Sequence, residues 1–184
     1  MKVLIISQPK SGTYLCANIL QNLGLTFTYM HLAVESYDKY DPDNLEDGRK
    51  YPEKYRHKLH IAETAKLISD NEFAVTHAAE QVNLPEFVDF QKIVLHRDIK
   101  KAGESYNRWL QESGRKRREV SVIPQINTHI PNSFSLAFED MLNKNTIAID
   151  DLQVYLLGFV AFDSMTVIEK SLKQDSLTKS SKRS

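Results

Sequence analysis

Pro9-Lys10-Ser11-Gly12-Thr13-Tyr14 gathers one cation, two hydroxyls and a glycine into six consecutive positions. An apolar run, Val3 to Ile6, leads into them, and a periodic pattern of Leu15, Ile19, Leu20 and Leu23 follows. This order reads as buried strand, tight turn and helix. The first turn of a helix has N–H groups without intrahelical partners and the positive end of the macrodipole, so it attracts phosphate. Gly12 lets the backbone approach a ligand closely. Lys10, Ser11 and Thr13 add charge and donors, and the N–H groups of residues 11–14 complete a phosphate cradle. The turn is neither a G-x-x-x-x-G-K-[ST] loop nor a G-x-G-x-x-G loop. An ordinary strand-to-helix turn with Ser11 as N-cap is the alternative.

Two further strand ends carry chemistry. Phe73-Ala74-Val75-Thr76 ends in His77, and Lys92-Ile93-Val94-Leu95-His96 ends in Arg97. The order along the chain is strand 2–7, helix 12–23, strand 25–31, a polar loop 37–55, an amphipathic helix 56–70 and strand 72–76. A short helix near 85–90, strand 92–96, helix 100–113, a loop 120–133, strand 134–138 and a further helical segment come next. Asp150-Asp151 is expected to cap a last helix reaching Leu172. Alternating strands and helices predict an α/β fold, a parallel β-sheet flanked by helices on both faces. Ligands of such sheets collect beyond the carboxyl ends of the strands. Lys10, His77 and Arg97 each lie just past such an end, so three separate segments converge on one edge. Alternation turns His96 away from Arg97, which gives it a structural part.

The chain has 184 residues, with Lys+Arg and Asp+Glu both 24 and net charge zero. One domain over residues 1–172 is expected, with a Ser/Lys-rich, disordered tail at 173–184. The balanced charge argues against a general nucleic-acid binder. No apolar run approaches the ~20 residues needed to span a bilayer. The opening strand belongs to the core and Lys10 to the site, so no cleavable leader and a cytoplasmic location are expected. The single cysteine, Cys16, has no internal disulfide partner and reads as a packing residue. The six histidines are scattered, with no H-x-x-x-H or C-x-x-C spacing, so no metal is expected. Arg115–Arg118 is read as a solvated basic run and Trp109 as core.

The opening turn with its strand and helix resembles the 5′-phosphosulfate-binding loop of the sulfotransferase family, P-K-S-G-T-T-W-L. Arg97 and Ser105, eight positions apart, match the family pair that binds the 3′-phosphate of 3′-phosphoadenosine 5′-phosphosulfate (PAPS). Thr76-His77 looks like the K-T-H segment whose histidine is the catalytic base. Phe138-Glu139-Asp140-Met141 resembles Y-E-D-M, whose aromatic lies near the adenine. The resemblance covers roughly residues 1–145 and implies a P-loop-like sulfotransferase architecture. It implies a reaction moving a sulfuryl group from PAPS to a hydroxyl or amine. Lys10 would then neutralise the leaving group, His77 would take the acceptor proton, and Ser11, Gly12, Thr13, Tyr14, Arg97, Ser105 and Phe138 would bind the donor. A histidine, with its pKa near ~6.5, suits that proton transfer at neutral pH.

The chain departs from the family pattern at three places. Val75 stands where many members have lysine, and Leu15 where a tryptophan stacks on adenine. No copy of the C-terminal R-K-G-x-x-G loop is present, and Arg115–Arg118 is one possible substitute. Two other classes stay open: a nucleotide kinase or NTPase with a variant phosphate loop, and a catalytically degenerate nucleotide-binding module. The acceptor, a small molecule or glycan, is left undefined, as is the oligomeric state. Its pocket is expected from loops 32–56 and 114–133.

Overall fold

The structure, a computed structural model, describes residues 1–32, 37–39, 56–57, 65–77, 79, 82–83, 85–112 and 130–180. Its strands are β1 (Lys2–Ser7), β2 (Thr26–Leu32), β3 (Tyr37–Lys39), β4 (Arg56–His57), β5 (Glu72–Thr76), β6 (Phe90–His96) and β7 (Ser133–Ala137). The helices are α1 (Thr13–Asn22), α2 (Ile99–Glu112), α3 (Phe138–Leu142), α4 (Thr146–Leu157) and α5 (Ser164–Ser180).

One sheet runs in the order β4-β3-β2-β5-β1-β6-β7. The five strands from β2 to β7 in that order pair in parallel. β3 and β4 extend the β2 side as antiparallel strands. β1 lies in the middle, between β5 and β6, and its four apolar residues Val3 to Ile6 are fully buried. A strand covered on both faces reads as a continuous apolar run, which is why this segment shows no alternation.

Side chains leave β1 alternately for two cores. Val3 and Ile5 meet Leu15, Ile19, Ile149, Leu152 and Ile168, the face covered by α1, α4 and α5. Leu4 and Ile6 meet Ile68, Val82, Phe87 and Val94 on the other face. Each fully buried Leu, Ile or Phe contributes roughly 1.5–3 kcal/mol relative to exposure. Phe27 and Phe73 stack at 4.7 Å across β2 and β5. The chain leaves β1 for β2 in one direction along the sheet and leaves β6 for β7 in the other. The crevice beyond the carboxyl ends of β1 and β6 is therefore a topological switch point, where open α/β sheets bind ligands.

Several expected elements differ. Tyr37–Lys39 is a strand rather than the start of a loop, and Arg56–His57 is a strand rather than the start of a helix. Residues 40–55 and 58–64 lie outside the described residues, as do 113–129 with the basic run Arg115–Arg118. The short helix near 85–90 is a single 3-10 turn, Pro85–Phe87. The single helix expected up to Leu172 is two. Asn145, not Asp150-Asp151, caps α4, accepting from the Ala148 N–H at 3.4 Å. Gly158, at φ 82, ends it. Asp163 then caps α5 through the Thr166 N–H at 2.8 Å. α5 continues to Ser180, into the stretch expected to be disordered tail; residues 181–184 lie outside the described residues.

The α4–α5 turn is held by Gln153, whose side chain is fully buried. Its amide donates to the Phe162 carbonyl and Ser164 Oγ, and accepts from the Ala161 and Phe162 N–H groups. No helix among the described residues is long and apolar enough to cross a membrane.

Candidate functional site

The turn after β1 closes on Ser11. Its N–H and its hydroxyl both donate to the Gln8 carbonyl, at 3.2 and 2.8 Å, and the residue is fully buried. Ser11 is thus a staple of the turn rather than the N-cap that the alternative reading made it. Lys10 and Gly12 take left-handed backbone angles, φ 68 and φ 92. Gly12 itself is the N-cap residue of α1, and no side chain caps the helix. Tyr14, in the first turn of α1, is 38% exposed.

Gly12 is demanded twice. Its φ is one that L-residues adopt at a cost, and an added Cβ would stand 2.1 Å from the Phe138 ring. Phe138, the first residue of α3, therefore lies against the turn itself.

His77, just past β5, is bound to the same turn. Its Nδ1 is 2.6 Å from the Ser7 carbonyl and 3.2 Å from Ser7 Oγ, which is 3.0 Å from Thr13 Oγ1. A carbonyl only accepts, so Nδ1 carries the proton and Nε2 carries the lone pair in the neutral ring. Burial lowers the His77 pKa, and the bond to the Ser7 carbonyl partly opposes that. The ring is neutral at neutral pH. One hydroxyl, Ser7 Oγ, joins the imidazole to the start of α1.

Arg97, just past β6, donates from Nη1 to the Lys10 carbonyl at 2.6 Å. Its guanidinium lies 4.3 Å over the Phe138 ring. Nε is buried and has no hydrogen-bond partner. Burial lowers the Arg97 pKa, Arg108 adds to this, and Glu139 and Asp98 oppose it. A guanidinium stays charged under all these influences. Lys10 Nζ stands 4.8 Å over the Trp109 ring on α2. Ser105 lies one helical turn before Trp109, so the two share a face of α2.

Lys10, Gly12, Thr13, His77, Arg97 and Phe138 are thus joined by direct contacts around one turn. Ser105 shares a face of α2 with Trp109, whose ring meets Lys10. Sequence reasoning missed two members and one contact. Ser7 looked like an ordinary strand end, Trp109 like core, and the packing of Phe138 on Gly12 has no local signature. The i, i+4 spacing of Ser105 and Trp109 was the available signal for the second. Cys16 is fully buried with its thiol pKa pushed up to about 12, consistent with a packing residue. Among the described residues no group of three His, Cys, Asp or Glu side chains is arranged to hold a metal ion.

The arrangement can receive an anion. It offers helical N–H groups, a glycine without Cβ, a lysine, and an arginine with a buried donor unmet. A neutral histidine stands beside these groups.

No family model matches the chain, and no curated protein matches it. Among solved structures it is similar to retinol dehydratase in complex with androsterone and the inactive cofactor PAP, with a TM-score of 0.60 at 15% identity. The match covers 92% of this chain and 63% of that one, so the chain spans less than two thirds of its neighbour's length. At this identity the likeness is one of fold. A sheet with five parallel strands and packed helices, matched over nearly the whole chain, gives the protein a sulfotransferase-like α/β fold.

Proposed function

We propose that the chain is a sulfotransferase that moves a sulfuryl group from PAPS to a hydroxyl or amine of a small-molecule or glycan acceptor. The observation that carries this reading is Arg97. Its Nη1 holds the Lys10 carbonyl while its buried Nε has no partner, directly beside the uncapped start of α1. A buried donor left unmet costs about 1–3 kcal/mol, so a ligand oxygen is the natural complement. The residues present fit a nucleotide carrying phosphates at both its 3′ and 5′ positions.

When bound, PAPS supplies the sulfuryl group and a bisphosphate leaving group. The α1 N–H groups and Lys10 stabilise negative charge growing on the 5′-phosphate oxygen. Arg97 holds the 3′-phosphate with a charge-assisted hydrogen bond, and Ser105 adds a hydroxyl donor. Phe138, under the Arg97 guanidinium, offers a ring face beside the adenine. His77 takes the acceptor proton at Nε2. Its Nδ1–H bond to the Ser7 carbonyl fixes the tautomer that makes this possible. Positioning and charge stabilisation carry most of the catalysis, as in phosphoryl transfer. The neighbour solved with androsterone and PAP supports a small acceptor beside a bisphosphate nucleotide.

The test is binding of adenosine 3′,5′-bisphosphate, by calorimetry and thermal shift. A ligand at a hundredfold its Kd stabilises by about 2.7 kcal/mol, a clear rise in Tm. Arg97→Ala should weaken binding roughly 10- to 100-fold. His77→Ala should leave binding unchanged and lower transfer to an acceptor panel by roughly 100-fold or more. A shift with ATP and Mg2+ but none with the bisphosphate would overturn the reading in favour of a kinase or NTPase.

A further inference from the structure

Both cations of the site rest on aromatic faces, Lys10 over Trp109 at 4.8 Å and Arg97 over Phe138 at 4.3 Å. A ring face attracts a cation through its quadrupole and leaves its charge in place. Lys10 is also fixed at its root. Its backbone is left-handed, φ 68, and its carbonyl accepts from Arg97 at 2.6 Å. A non-glycine residue holds such a conformation only where its surroundings enforce it. The side chain then crosses from the turn to α2, where the indole meets its tip.

We infer that Trp109 is a positioning residue for Lys10: the indole holds the ammonium at the mouth of the β1–α1 turn and yields it to an anion seated there. The inference rests on the reading of that turn as an anion site. Charge-assisted bonds from an ammonium to phosphate oxygens are stronger than its contact with a ring, so the transfer from ring to anion runs downhill. The ring keeps the long, flexible lysine side chain near its target and reduces the number of rotamers it must search.

Trp109 is the only tryptophan in the chain, which makes its emission a direct reporter. Lys10→Met removes the cation from the indole face and should alter the emission before any nucleotide is added. In the wild type, titration with adenosine 3′,5′-bisphosphate should change the emission saturably, and in Lys10→Met that change should vanish. Trp109→Leu should lower the turnover number about fivefold or more with a smaller change in bisphosphate affinity, and Trp109→Phe should restore most of it, because a ring face is kept. Identical emission from wild type and Lys10→Met overturns the inference. So does full turnover by a folded Trp109→Leu variant. Calorimetry separates the two levels. Binding seen by heat with unchanged emission sinks the role of Trp109 and leaves the anion site standing. No heat with the bisphosphate sinks the anion site and the transfer of Lys10 with it.

Discussion

Helices α1 and α4 pack on the same face of the sheet, yet they begin in opposite ways. α4 follows the local rules: Asn145 caps its first turn and Gly158 ends it in a left-handed turn. α2 and α5 are capped too, by Asp98 on the Lys101 N–H and by Asp163 on the Thr166 N–H. α1 starts at a left-handed glycine with no capping side chain, and the residue with the right chemistry, Ser11, turns its hydroxyl back to Gln8. α4 and α5, which carry none of the site residues, each have a first-turn N–H met by a capping side chain. α1, at the switch point, has none.

Glycine substitutions test this contrast most strongly. Gly12→Ala combines a left-handed backbone with a Cβ 2.1 Å from the Phe138 ring. It should destabilise the chain by on the order of 2–4 kcal/mol and abolish bisphosphate binding. At Gly158 the same change meets nothing within 4 Å. There the backbone alone is strained, and the loss should be about 1 kcal/mol with binding intact. Equal losses in chemical denaturation would show that Phe138 does not wall the turn. A milder probe is Asn145→Ala, which should lose about 1 kcal/mol of stability and no affinity. A change in affinity would mean that α4 reaches the site.

The smallest effect concerns protons. Burial lowers the His77 pKa from its ordinary value of 6.5, so the unfolded chain binds a proton that the native chain resists. The stability tied to neutral His77 is fully present above pH 6.5 and is lost as pH falls through that value. The wild type should therefore lose more Tm between pH 7.5 and 5.5 than His77→Asn does. For the same reason transfer activity should persist below the pH at which an ordinary histidine becomes protonated. Parallel Tm profiles for the two proteins would remove the buried, neutral imidazole from the argument.

What could be read from sequence was local. The β1–turn–α1 unit, the ends of β5 and β6, and the parallel sheet all follow from apolar runs ending in chemistry-bearing residues. Three kinds of feature escaped. β3 and β4 are short strands on the rim of the sheet, where pairing rather than residue type decides the conformation. Asn145 and Gly158 bound α4, while Asp150-Asp151, which has the chemistry of a cap, lies inside the helix. The contacts of Phe138 with Gly12 and of Trp109 with Lys10 join segments about a hundred residues apart, and no periodicity encodes them.

The hydrogen bond from Arg97 to the Lys10 carbonyl limits what evolution or design can place at position 97. A guanidinium is a rigid planar fork with five N–H donors, so one prong can grip the protein while others remain for a second partner. An ammonium is a single compact charge. Lysine at this position would have to choose between bracing the bend and meeting whatever arrives there, so the commonest conservative swap for arginine would be a damaging one here.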